Sequence, residues 1–222
     1  MPPTIINLTV HGIGKPRRAL DPGEDESWVT VEQFELVLDA VVGIDNVRLT
    51  FDDGNASDVE IALPRLLERR LTAEFFLVAG QLGERGRIGR DGVRELVDAG
   101  MSIGTHGWSH SDWRRLDDRR ATQEIAEAPK LLSKLAGKPV RHAAVPFGAY
   151  DRGVLHRLRK AGMSRVYTND GGAAREFTWL QPRTSLCAKL DPLWIEDALA
   201  GAPGLYRSAS RTAARLVRLA GM

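Results

Sequence analysis

Two adjacent aspartates, Asp52 and Asp53, close an apolar run in the stretch Leu-Thr-Phe-Asp-Asp-Gly at 49–54. Further along, His106 and His110 stand four apart in Gly-Thr-His-Gly-Trp-Ser-His, a spacing that lets two imidazoles converge on one cation from a single turn. One aspartate and two histidines make three ligands for a divalent metal. They leave positions open to water and a substrate oxygen, the pattern of a catalytic site rather than a closed structural one. The second aspartate is then free to act as base toward water whose pKa the cation lowers. His11, at the end of the first apolar run, is a candidate acid, because an amine leaves readily only when protonated and imidazole titrates near neutral pH. Taken singly, each group has a plain structural reading, an acidic turn or solvent-facing loop histidines. Their shared position argues for more: each closes a strand-like run.

The elements that must hold these groups alternate between strand and helix, the signature of βα units around a parallel sheet or barrel. Strands are expected at Ile5–Val10, Val47–Phe51, Ala73–Val78, Met101–Gly104, Val140–Val145, Arg165–Tyr167 and around Trp179–Leu186. Between them, Thr30 and Gln33 form a capping box for a helix to about Val42, and Ser57 caps one whose apolar residues recur from Val59 to Leu67. Helices are also expected at Gly89–Ala99, at Asp118–Ala136 with Pro129 bending or breaking it, and at Asp151–Ala161. Ligands of parallel α/β folds gather where strands hand over to the following loop, and that is where Asp52, Asp53, His106 and His11 fall. The longest irregular stretch, Gly12–Trp28, is long enough to expect a functional loop.

The chain has 222 residues and 43% apolar content, and one domain over 1–222 is expected. With 31 basic and 29 acidic residues it carries no electrostatic footprint of a nucleic-acid binder. A single cysteine, Cys187, allows no internal disulfide and reads as inert core in a reducing compartment. No signal peptide or long apolar span is visible, so a cytoplasmic location is expected. A basic amphipathic helix is expected over 203–220, with Arg207, Arg211, Arg215 and Arg218 at helical spacing. It either docks on the domain or makes a weak peripheral membrane contact.

Thr-Phe-Asp-Asp-Gly at 50–54, His-Gly-Trp-Ser-His at 106–110 and Val-Pro-Phe-Gly at 145–148, in this order and spacing, resemble the polysaccharide deacetylase (NodB-homology) family, carbohydrate esterase family 4. The resemblance runs from about Leu49 to Asp170. It implies a distorted (β/α) barrel of about seven parallel strands and a metal-dependent hydrolase that removes acetyl groups, N-acetyl before O-acetyl, from an amino sugar in a polysaccharide or glycoconjugate. By carry-over Asp52 is the base, and Asp53, His106 and His110 hold the metal, zinc first, with cobalt or nickel as alternatives. Two other readings stay open: a deacylase or amidohydrolase on a small or lipid-linked amide, and a non-catalytic carbohydrate-binding barrel.

The sequence departs from the family pattern twice. Ala144 stands where many members carry an arginine that tethers the base, and no histidine follows His156 to supply a late acid. The early Val-His-Gly at 10–12 is similar instead to a permuted branch, the poly-N-acetylglucosamine deacetylases, which gives the acid role to His11. Arg183, in Gln-Pro-Arg-Thr, is the candidate to pair with Asp52 in place of the missing arginine. Phe147, following Pro146, is expected to offer its backbone N–H as an oxyanion donor and its ring as a groove wall. Trp108 is a candidate for stacking on a sugar, as is Trp113, and both are equally candidates for packing. Asp170, in a loose match to a fourth motif, is expected to support the site from behind or to begin a glycine turn. His142 and His156 read as structural.

Overall fold

A computed structural model describes residues 3–201. Chain order begins with β1 (Thr4–Val10), the short β2 (Gly12–Ile13) and β3 (Trp28–Val29), α1 (Val31–Val41), β4 (Val47–Asp53), α2 (Leu63–Glu68) and β5 (Ala73–Leu77). It continues through α3 (Arg90–Asp98), β6 (Ser102–Thr105), α4 (Asp118–Thr122), α5 (Ala128–Ala136), β7 (His142–Ala144), α6 (Arg152–Lys160) and β8 (Arg165–Thr168). The last elements are β9 (Ala173–Arg175), β10 (Leu180–Pro182), β11 (Thr184–Ser185) and α7 (Pro192–Leu199).

Among the described residues nine strands form one sheet, in the order β10-β8-β7-β6-β5-β4-β1-β11, with β9 antiparallel on β1 and the other pairs parallel. The α/β barrel is therefore nearly closed. Its seam falls where one late strand was expected: β10 pairs with β8 and β11 with β1, and only Arg183 separates the two in sequence. The barrel takes its last turn within that residue, whose N–H donates to Thr168 O at 2.9 Å while its carbonyl accepts from Gly171 N–H at 2.9 Å. The Asn7 side chain crosses the seam from β1, donating to Gln181 Oε1 (3.1 Å) and Pro182 O (3.0 Å).

Strand residues alternate between faces, and the two faces differ in chemistry. Leu49, Phe51, Phe75 and Ile103 point outward into the main core under the helices, where Phe51 stacks on Phe75 at 4.5 Å and meets Phe34 of α1 edge-on. The lumen instead holds Asn7, Thr9, Thr50, Asp52, Gln181 and Arg183, all buried, with Phe76, Ala144 and Tyr167 as a small apolar cluster. Buried polar groups are normally paired, and the Thr9–Thr50 hydroxyl bond (2.7 Å) and the two bonds donated by the Asn7 amide nitrogen pair much of this lumen.

The helix starts follow local chemistry. Thr30 and Gln33 make the expected capping box, with Gln33 N–H donating to Thr30 Oγ1 (3.1 Å) and Thr30 N–H to Gln33 Oε1 (2.9 Å). Ser57 does not cap a helix as expected; its hydroxyl accepts the Ile13 N–H at 3.3 Å and so ties β2 to the loop after β4. Two prolines near helix starts follow a widened turn, Asp58–Ala62 before Pro64 and Gln123–Glu127 before Pro129, which absorbs the missing N–H. The helix expected across 118–136 is accordingly split and not broken off. Helix α7, capped by Asp191, was not anticipated from the sequence. Cys187 is half-buried in the turn after β11, not core, and His156 is exposed on α6. His142 makes a structural contact to Glu74 at 2.7 Å. Among the described residues no helix is long and apolar enough to cross a membrane. The expected basic helix over 203–220 lies outside the described residues.

Candidate metal and catalytic site

Neighbouring strand residues normally face opposite sides, so Asp52 and Asp53 could not share a site on a regular strand. Asp52 follows the strand alternation into the lumen. Asp53 has φ 77°, in the left-handed region, and this turn brings its carboxylate back over the same barrel mouth. Left-handed backbone recurs at His110 (φ 55°) and Phe147 (φ 58°), so three of the four described non-glycine residues with positive φ line this site. Such conformations cost on the order of 1–3 kcal/mol each and persist where the surroundings enforce them.

Asp53 Oδ1 lies 3.6 Å from His106 Nε2 and 3.5 Å from His110 Nε2, too far for hydrogen bonds, and the three potential ligand atoms fall within 4.8 Å of one another. Asp53 Oδ1 is buried and has no hydrogen-bond partner among the described residues. His106 Nδ1 is 2.9 Å from Ala144 O; donating its proton there leaves Nε2 unprotonated and turned toward Asp53. Burial first and then His106 pull the His110 pKa down to about 4, so at neutral pH its nitrogen lone pair is available. An orphaned carboxylate oxygen facing two imidazole Nε2 atoms fits a divalent cation of the zinc class.

Asp52, fully buried, stands outside that triad. Arg183 grips it bidentately, Nη1 to Oδ1 at 2.7 Å and Nη2 to Oδ2 at 2.6 Å. Burial alone would raise the Asp52 pKa, but Arg183 and then His106 outweigh it and hold the carboxyl far below the usual range. The guanidinium is itself buried, 5.4 Å over Phe76 and 5.7 Å over Tyr167, and donates also to Asn169 Oδ1 at 3.0 Å. His11 Nε2 lies 3.9 Å from Asp52 Oδ2, and its Nδ1 is buried without a partner. The structure thus brings Asp52, Asp53, His106, His110, His11 and Arg183 together. Pro146 is buried beneath them, while the Phe147 ring, 60% exposed, packs 4.3 Å from His110. Asp170 is buried behind the site, accepting from the Tyr150 hydroxyl (2.7 Å) and the Thr168 hydroxyl (2.8 Å).

The model of the polysaccharide deacetylase family matches residues 41–166, more than half of the chain. The chain belongs to the polysaccharide deacetylase family. It is similar to the chitooligosaccharide deacetylase of Bradyrhizobium sp., 27% identical over 129 residues, covering 57% of this chain and 57% of that one. It is also similar to the peptidoglycan-N-acetylglucosamine deacetylase of Bacillus cereus, 28% identical over 134 residues, 59% of this chain and 46% of that one. The chain spans about half the length of the curated relatives it matches. The solved structure of the Streptococcus pyogenes deacetylase PplD in complex with acetate superposes with a TM-score of 0.75 at 19% identity, covering 89% of this chain and 99% of that one, and shows the shared fold. Ala144 in this polysaccharide deacetylase family member leaves no guanidinium on β7, and Arg183 occupies the lumen from the seam instead.

Trp108 is not brought to the site: its indole lies against Gly80 and lines a separate depression with Gln123, Glu127 and Lys130. Trp113 is fully buried. Both serve a residue that sequence reasoning missed, Glu124. Its buried carboxylate accepts from Trp108 N–H (2.7 Å), Ser109 N–H (3.0 Å), the Ser109 hydroxyl and Trp113 Nε1–H (3.3 Å), binding the chain between the two histidines. Gly107, at φ 86°, is packed so closely that a Cβ would strike this carboxylate. Glu124→Ala is expected to cost about 2–4 kcal/mol by stranding buried donors. It should also disturb the Asp53–His106–His110 cluster and weaken any divalent metal held there; urea unfolding and competition with a chromogenic chelator measure the two effects. Asn55 was missed as well: its Nδ2 donates to His11 O (2.6 Å) while its Oδ1 accepts from Arg18 and Arg87, both at 3.1 Å.

Proposed function

We propose that this chain hydrolyses the N-acetyl group of an amino sugar in a glycan or glycoconjugate, using a divalent metal held by Asp53, His106 and His110. Family membership and relatives that deacetylate chitooligosaccharide or peptidoglycan support the sugar amide as substrate. The observation that carries the catalytic reading is the buried Asp52, ionised, clamped by Arg183 and left out of the metal triad. A protein that only bound sugar would have no use for this buried charge beside an intact triad, and burying it is costly.

When bound, the cation supplies Lewis acidity toward a carbonyl oxygen and a lowered water pKa. Zinc is the metal expected first, with cobalt or nickel as substitutes. Asp52 accepts the proton of the attacking water, and Arg183 keeps the carboxylate aimed and deprotonated between turnovers. His11, facing Asp52 across the cavity, returns a proton to the departing nitrogen. The amide C–N bond breaks and yields acetate and a free amine. Phe147 walls the cavity, and its N–H, on the left-handed turn after Pro146, is the candidate oxyanion donor.

Acetate release from acetylated chito-oligosaccharides tests this reading. Chelator is expected to reduce it by at least about 10²-fold, and zinc, cobalt or nickel to restore it. Absence of acetate from protein at full metal occupancy would overturn it.

A further inference from the structure

The cavity above Asp53, His106 and His110 has a volume of about 210 Å³. Sites that enclose drug-sized ligands run to about 300–1,000 Å³, so this one is smaller than most of them. Its wall draws on successive strand ends around the barrel rim: His11 after β1, Asp53 on β4, Arg87 beyond β5, His110 beyond β6, Phe147 beyond β7 and Asn169 beyond β8. The long loop after β1 completes the wall with Asp21 to Glu24 and Ser27. A polymer bound through its middle needs two opposed gaps in the rim, and among the described residues the lining lacks a contribution on one side alone, the arc of β10 and β11. The cavity is a pocket walled on its other sides.

The loop is pinned in place. The Arg18 guanidinium grips the Glu24 carboxylate and donates to Asn55 Oδ1 at 3.1 Å. Trp28 Nε1–H donates to Gly14 O at 2.5 Å, Gly14 N–H to Val29 O at 2.8 Å, and Ala188 N–H to Glu26 O at 2.8 Å. These bonds anchor it to β3, to the turn after β4 and to the turn after β11, so the wall is part of the barrel. Most of these contacts hold backbone, but the Arg18 pair holds the side of the loop facing the cavity.

We propose that the pocket admits one N-acetylated amino-sugar unit end-on, the terminal unit of an oligosaccharide or the lone sugar of a glycoconjugate, and that the wall held by Arg18 and Glu24 excludes internal units. This rests on the deacetylase reading above. Arg18 is a positioning residue: it touches the wall and not the reacting atoms.

The test uses the zinc-loaded full chain with fully N-acetylated chitopentaose, tagged at its reducing end with ¹⁸O, alongside monomeric N-acetylglucosamine. Mass-spectrometric sequencing of the product is expected to find the free amine at one terminal unit only, with the monomer also converted. Free amines at internal units would overturn the end-on proposal while leaving the deacetylase reading intact. No acetate from either sugar would remove the deacetylase reading and the proposal with it. Arg18→Ala is expected to raise the ratio of internal to terminal amines by about tenfold or more. Glu24→Gln is the second variant should Arg18→Ala fail to fold. An unchanged cleavage pattern in a folded variant would overturn the role given to the wall.

Discussion

Asp52→Asn is expected to lower acetate release by about 10²–10⁴-fold, the range that a positioned general base contributes. Zinc binding should survive, because the candidate ligand atoms belong to Asp53, His106 and His110 and not to Asp52. The amide retains an oxygen for one Arg183 N–H but loses the charge that balances a fully buried guanidinium, so a measurable loss of stability should accompany the loss of turnover. Titration with zinc, parallel acetate assays and chemical denaturation separate the three effects. If zinc binding is lost in step with activity, Asp52 is a ligand, and the division of labour between the two aspartates is wrong.

Arg183→Met carries the second large effect. The substitution leaves the buried Asp52 without the guanidinium that pairs it, and breaking a buried pair from one side costs about 3–5 kcal/mol. Activity should fall as well, since the carboxylate loses both the bidentate contact that aims it and the charge that keeps it ionised. A double variant distinguishes these contributions. Asp52→Leu with Arg183→Met removes both charges, and an apolar replacement of a buried pair is often neutral or stabilising. The double variant should regain much of the stability lost in Arg183→Met, and no activity. A single Arg183→Met protein with native stability and turnover would show that the guanidinium is incidental to the base.

Glu124 acts at a different distance from the chemistry. It touches neither His106 nor His110 yet collects three donors from Trp108 and Ser109 between them and a fourth from Trp113 just beyond, so it holds the two histidines at their mutual spacing. Left-handed backbone at His110 and Asp53 makes that support necessary, because strained residues relax when their surroundings loosen. Nothing in the sequence near Glu124 marks it, since a glutamate early in an amphipathic helix ordinarily faces water.

Local sequence determined a good deal. Six strands appear within a few residues of where apolar runs end in acids, histidines or glycines, and the seventh expected run is present but divided at Arg183. Asp52, Asp53, His106, His110, Pro146 and Phe147, together with His11, meet at one barrel mouth because parallel strands deliver their C-terminal ends to the same side. Spacing along the chain carries that information, so it is readable without a structure.

Only the tertiary structure decided how the two aspartates differ, since that depends on a left-handed turn at Asp53 and on a guanidinium 131 residues away in sequence from Asp52. It likewise sent Trp108 out of the site, brought the loop after β1 over it, and split one strand so that Arg183 could point inward. These outcomes come from closing a ring of strands around a polar lumen, where each buried group must find its partner from another part of the chain. Hydrophobic period and turn chemistry act over a few residues and record nothing of that partnership.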